Sequence, residues 1–222
     1  MPALEQSPSA QIPVAALLAI TGGLLDGVTY FAHGHVFANA MTGNLILLGI
    51  AAVSQDREQV IRHIVPLVLF LVGIFFALRL RDYKKSNAEL IALLAEIGTL
   101  GILGALPGSF PNLIFIGAVS FISAFQVTTF HNVGQFSYSS TFITGNLRQA
   151  AGGFYDSIFS SDPVTRDQSR SMAKHLSLIC ACFLVGACLG AFVAQHHPGH
   201  SILAAEPMLL IVLGILLISR HQ

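Results

Sequence analysis

The sequence predicts an all-α, polytopic membrane bundle: six full spans and two partial helices, arranged as a duplicated and inverted unit. Three observations predict it. Of 222 residues, 54% are hydrophobic and 10% are charged, and the mean hydropathy is +0.71. A water-facing domain carries about 25% charged residues, so a soluble enzyme and a disordered chain are both excluded. Six stretches are long enough to cross a bilayer, which takes about 20 apolar residues. A set of landmarks also recurs in order in the two halves of the chain. The formal net charge is zero and there is no basic run, which excludes nucleic acid as a partner. Membrane lipid is the predicted surrounding, and 1–222 reads as one membrane domain.

The elements follow in order. Met1–Gln11 is short and polar, with no basic n-region and no small-residue cleavage site, so it is not read as a signal peptide. Full spans are expected at roughly 13–32, 64–80, 88–106, 111–130, 173–195 and 203–219. Pro13 and Pro111 stand at helix starts, where the missing N–H would have no partner anyway. Cys180, Cys182 and Cys188 fall inside one apolar span and read as small hydrophobes. Gly73 with Ala77, and Gly186 with Gly190, are small-xxx-small pairs that read as helix packing.

Two further apolar stretches are awkward. Residues 38–53 contain Thr42-Gly43-Asn44, and residues 140–155 contain Thr144-Gly145-Asn146 followed by Arg148. From Gly43 to Val53 a helix reaches about 16 Å, against a hydrocarbon thickness of about 30 Å. Each is therefore expected to be a partial or broken helix. If both crossed fully there would be eight spans and a parallel repeat. Arg57, Arg62, Arg166, Arg170, Lys174 and Arg220 would then face Arg79, Arg81, Lys84 and Lys85, a weak bias. With both re-entrant there are six spans. Arg79, Arg81, Lys84, Lys85, Arg166, Arg170, Lys174 and Arg220 share one side, with Arg57 and Arg62 opposite. That is a clear positive-inside asymmetry, and it puts both termini in the cytoplasm.

The repeat supports the same arrangement. Thr42-Gly43-Asn44 returns as Thr144-Gly145-Asn146, Phe70-Leu71-Val72-Gly73 as Phe183-Leu184-Val185-Gly186, and Leu93-Leu94-Ala95-Glu96 as Leu203-Ala204-Ala205-Glu206. The halves are about 1–107 and 108–222. Three crossings per half force the second to be inverted, a recurrent plan of secondary transporters.

Candidate functional residues are those that are polar at membrane depth. Thr42, Gly43 and Asn44, with Thr144, Gly145 and Asn146, either present N–H groups and amides to a solute near mid-membrane, or only cap and pack two short helices. A helix N-terminus there would favour an anionic group. Asp26 lies deep in the first span, where a carboxylate costs about 2.5–3.5 kcal/mol and needs a partner. It reads as a coupling carboxylate, a solute ligand, or a buried structural acid against Arg148 or a broken-helix end. Gln126 is its approximate counterpart. Arg148 pairs with Asp26, binds an anion, or snorkels to an interface. Glu96 and Glu206 match in the repeat; Glu206 reads as a helix-start residue and Glu96 as a weaker proton-site candidate. His33, His35 and His131 follow the spans at 13–32 and 111–130, while His196, His197 and His200 form a cluster of the kind that binds metal or titrates near neutral pH, but with no carboxylate partner it reads as surface histidines. No cofactor and no metal site is expected.

The run Thr21-Gly22-Gly23-Leu24-Leu25-Asp26, followed by Phe37-Ala38-Asn39-Ala40-Met41-Thr42-Gly43-Asn44-Leu45, resembles the signature of the YoaK family of bacterial membrane proteins, also called domain of unknown function 1275. Thr144-Gly145-Asn146-Leu147 and Phe183-Leu184-Val185-Gly186 fit its second half. The resemblance runs from about 12 to 219. It implies a bacterial inner-membrane protein of about six spans, and it carries no activity, substrate or site residue to transfer. The residues themselves favour a small-solute transporter or channel. The alternative is a non-transporting membrane protein, either a lipid- or quinone-directed enzyme or a scaffolding partner. An enzyme needs an acid–base set gathered at one interface, whereas here the polar residues divide between two related half-sites. A homo-oligomer is compatible with so small a bundle, though no residue demands it.

Overall fold

A computed structural model describes residues 11–84, 87–133 and 136–219. Met1–Ala10, Lys85 and Arg220 lie outside them, so the reading of the N-terminal segment and two of the counted charges have no structural counterpart. Eight α-helices run in order: α1 (Ile12–Ala32), α2 (Met41–Val53), α3 (Arg57–Tyr83), α4 (Ala88–Ala105), α5 (Asn112–Thr129), α6 (Ile143–Phe159), α7 (Pro163–His196) and α8 (Glu206–Ser219). A 3-10 turn, Ser201–Ala205, leads into α8. A two-residue antiparallel hairpin, Asn132–Val133 with Phe136–Ser137, lies between α5 and α6 and was not foreseen. Its Val133 and the nearby Tyr138 pack with Ala15, Ala19 and Leu176, so the inner side of the hairpin is covered by protein, while Asn132 and Ser137 stay exposed.

Among the described residues six helices are long and apolar enough to cross a membrane: α1, α3, α4, α5, α7, and α8 with its 3-10 turn. Two exceed their apolar windows. α3 starts at Arg57 because Asp56 accepts from the Gln59 N–H, and α7 starts at Pro163 because Asp162 accepts from the Val164 and Thr165 N–H groups. These caps extend the helices through polar turns that hydropathy does not register. Pro66 sits inside α3 without ending it. The cysteines of α7 are less enclosed than expected: Cys180 and Cys182 are half-buried and Cys188 is exposed on the apolar exterior.

Close contacts fix the helix directions. The missing side chains of Gly186 and Gly190 bring α7 onto the carbonyls of Ile20 and Leu24, and Gly23 and Gly27 bring α1 onto those of Phe183 and Ala187. Numbers rise together, so α1 and α7 are parallel. Gly73 meets the Phe121 carbonyl and Gly117 meets Leu69, so α3 and α5 are parallel too. By contrast, α1 and α5 are antiparallel. Gln126 reaches the Leu18 carbonyl, while at the other end the His33 ring stacks on Phe115 at 3.9 Å.

The short helices turn back. Met41, at the start of α2, packs with Phe70 at the middle of α3, and α2 ends beside the start of α3. Arg62, near the start of α3, donates to the Gly34 carbonyl just past the end of α1 at 3.5 Å. The end of α1 and the start of α3 therefore share a face, and the 13 residues of α2 cover about half of α3. Likewise α6 runs back along α7, with Gly153 against Met172 and Ala150 clustered with Leu176 and Ile179. Gln11 and Ser219 meet at 3.5 Å, which brings the two described ends to one face. The inner helices are α1 and α5, with 67% and 56% of their apolar windows buried, whereas α3 and α7 present most of theirs outward.

Candidate functional site

Gly22 is the midpoint of α1, and both half-helices approach it. From one side comes the lead-in to α2, where the Asn39 side-chain amide donates to the Gly22 carbonyl at 3.2 Å. From the other comes the lead-in to α6. A methyl group on Gly22 would lie 2.8 Å from Thr141 Cγ2 and 3.1 Å from the Ser140 carbonyl, so only glycine admits that segment. Phe142, at the head of α6, stands edge-on to Phe70, the residue that also receives Met41. The heads of α2 and α6 thus converge at mid-bundle.

Each lead-in is held by the asparagine of its own Thr-Gly-Asn. Asn44 Oδ1 accepts from the Phe37 N–H at 3.0 Å, and its Nδ2 donates to the Phe37 carbonyl at 2.7 Å. Asn146 does the same seven residues back, accepting from the Ser139 N–H at 3.1 Å and donating to the Ser139 carbonyl at 2.6 Å. Both are buried. Each carboxamide satisfies one backbone donor and one acceptor of a loop that has no helical partners. Thr42 and Thr144 are exposed, as is Gly145, and Gly43 packs under the Phe37 ring. The expected caps take a different form. The N-cap residues, Ala40 of α2 and Phe142 of α6, do not cap their helices with their own side chains.

Asp26 supplies the missing function for α2. Its Oδ1 accepts from the Asn39 N–H at 2.7 Å and the Ala40 N–H at 3.4 Å. A carboxyl group thus occupies the positive end of α2, where the sequence suggested an anionic solute. Arg148 is exposed on α6 and is not what holds Asp26. In the second half Ser139 Oγ accepts from the Thr141 and Phe142 N–H groups. There Gln126 takes the place of the acid, donating to Ser140 Oγ at 2.9 Å and to the Leu18 carbonyl at 3.1 Å. Leu18, Gly22 and Asp26 lie one turn apart on one face of α1, a polar strip about 12 Å long.

Along this strip four buried oxygens have no hydrogen-bond partner: Asp26 Oδ2, Asn39 Oδ1, Gln126 Oε1 and Thr141 Oγ1. One belongs to a carboxyl group, two are amide oxygens and one is a hydroxyl. Such a set suits a cation or a group rich in N–H or O–H donors. Asn39, Ser139, Ser140 and Thr141 were not read as site residues. Their signal was an Asn five residues before Asn44 and a Ser-Ser-Thr run before the second motif. Two turns beyond Asp26, a cavity of about 250 Å³ opens at the end of α1, lined by His33, Leu103, Pro107, Phe110, Asn112 and Phe115. Among the described residues no three His, Cys, Asp or Glu side chains converge as a metal-ligand set.

A membrane-spanning helical protein with a polar strip at mid-bundle is the class these features define. The chain belongs to the family described as Protein of unknown function (DUF1275), whose model matches residues 14–216. It is 26% identical over 212 residues to the UPF0700 transmembrane protein YoaK of Bacillus subtilis (strain 168), covering 92% of each chain. No solved structure matches it.

Proposed function

We propose that the protein is a small-solute transporter of the bacterial cytoplasmic membrane, with its binding site on the Gly22–Asp26 face of α1. The observation that carries this reading is the meeting of two half-helix lead-ins around four buried, unpartnered oxygens. The solute is a small cation or a molecule presenting N–H or O–H donors, and the His33 cavity is its entrance from one face. The duplicated, inverted plan adds support. The Asn44 and Asn146 clamps are the same in kind, and each inner helix pairs with the long helix of the other half, α1 with α7 and α5 with α3. α1 and α5, the first helices of the two halves, run in opposite directions. Broken helices that meet between inverted units are where secondary transporters bind. Arg79, Arg81, Lys84, Arg166, Arg170 and Lys174 gather at the face of the chain ends, with Arg57 and Arg62 opposite, which supports cytoplasmic termini.

The test is uptake by the purified protein in liposomes, screened over amines, amino acids, polyols and alkali cations. Asp26→Asn and Gln126→Ala should each abolish uptake of whatever the native chain carries, while Thr42→Ala leaves it intact. Uptake that survives Asp26→Asn and Gln126→Ala at full rate would overturn the site.

A further inference from the structure

A second polar anomaly lies away from the α1 strip. Glu96 stands near the middle of α4, fully buried between Leu93 and Leu100 of the apolar core, and neither of its carboxyl oxygens has a partner. Few groups around it carry charge. α5 has no ionisable side chain, nor does the 3-10 turn, nor does the middle of α3 from 64 to 78. α8 brings one, Glu206. Asp26 of α1 is committed to the head of α2.

Glu206 and His200 are both laid against α4. His200 Nδ1 is 2.8 Å from the Gly104 carbonyl, at the end of α4. Glu206 Oε1, itself buried and without a partner, lies 3.7 Å from where a Gly101 side chain would begin. Three titratable groups thus descend α4 from its end to its middle, in steps of about 4.5 and 7.5 Å along the axis. An isolated charge at Glu96 is not tolerated in apolar surroundings, and a proton is the one ligand that removes it without requiring a cavity.

We propose that Glu96 is a proton-binding site, loaded from the membrane face that carries His200 by way of Glu206. In the transfer the Glu206 carboxyl O–H bond breaks as its proton passes to a bridging water, and that water gives up one of its own protons to form an O–H bond on Glu96. Glu206 is left as carboxylate and regains a proton from water at that face. This inference is independent of the solute site, because proton binding is read without any solute.

The experiment is a pH jump on the purified full-length protein, followed by time-resolved infrared absorption of the carboxylic acid C=O stretch. The native chain should show a band that Glu96→Gln lacks. Glu206→Gln should keep the band but form it about a hundredfold or more slowly, the scale on which a lost proton relay is felt. A band unchanged in Glu96→Gln overturns the site, and an unchanged rate in Glu206→Gln overturns the route. A second measurement needs no variant. A hydrophobic carbodiimide, which attacks protonated carboxyls, should modify Glu96 of the native chain in liposomes at acidic pH, located by mass spectrometry. Absence of that adduct overturns the proposal.

Discussion

Asn44 and Asn146 each tie two backbone groups that have no helical partner, so their removal leaves a buried donor and acceptor unpaired. Asn44→Ala and Asn146→Ala should each lower stability by about 1–3 kcal/mol, read as the melting temperature in detergent. Thr42→Ala and Thr144→Ala, at exposed positions, should stay within about 0.5 kcal/mol. The motif was legible in the sequence, but the division of labour within it was not, because side-chain direction depends on where the lead-in passes. Asp26 teaches the same lesson. A sequence shows charged side chains such as Arg148 but not the backbone N–H groups of Asn39 and Ala40, which are the donors that hold it. His33 permits a pH test. Burial pushes its imidazole below the ordinary 6.5, and the bond to Asn112 opposes this only in part. Below 6.5 the unfolded chain takes up a proton that the folded chain resists, so its contribution is fully present above 6.5 and is lost as pH falls through that value. Urea unfolding of native and His33→Gln protein from pH 8 to 5 should show that slope in the native chain and a shallower one in the variant.

Elements were legible where apolar length alone decides. The six long helices fall where hydropathy puts them, but α3 and α7 begin earlier, since Asp56 and Asp162 cap polar turns that lie outside the apolar windows. The small hairpin after α5 left no hydropathy signature, because two-residue strands have none. The small-residue pairs were read as packing, and their partners emerge only from the fold. Gly186 and Gly190 face α1, so the seventh helix is seated on the first. A methyl at Gly186 would be driven into the Ile20 carbonyl, a backbone atom that cannot step aside. Gly186→Ala and Gly23→Ala should therefore part α1 from α7 and cost about 1–3 kcal/mol or more. Gly214→Ala meets nothing within 4 Å and should change stability by no more than about 1 kcal/mol. Equal losses at all three positions, measured by thermal unfolding, would remove the claim that backbone approach holds this seam.

At the scale of the whole molecule the charge asymmetry and the repeated landmarks were enough to suggest that the two awkward stretches turn back. They could not say which helices touch. Long-range pairing rests on surface shape, and the partners of α1 are far away in sequence. The contact of Arg62 with Gly34 and the seating of Met41 on Phe70 carry the reversal of α2; the packing of Gly153 on Met172 carries that of α6. From this follows a prediction about sidedness. Gln55, in the turn between α2 and α3, lies at the face of Gly34 and His33. Ser160, between α6 and α7, lies at the face of Gln11, because α7 is parallel to α1 and, with Gly186 seated on Ile20, starts well before it. With Cys180, Cys182 and Cys188 replaced by alanine, Gln55→Cys and Ser160→Cys should react with a membrane-impermeant maleimide from opposite sides, one in right-side-out vesicles and the other in inverted ones. Full crossings by α2 and α6 would put both cysteines on the same side, and the two vesicle preparations would then label them alike. That result would overturn the proposed inversion of the halves, and with it the meeting of two half-helices on which the proposed site depends.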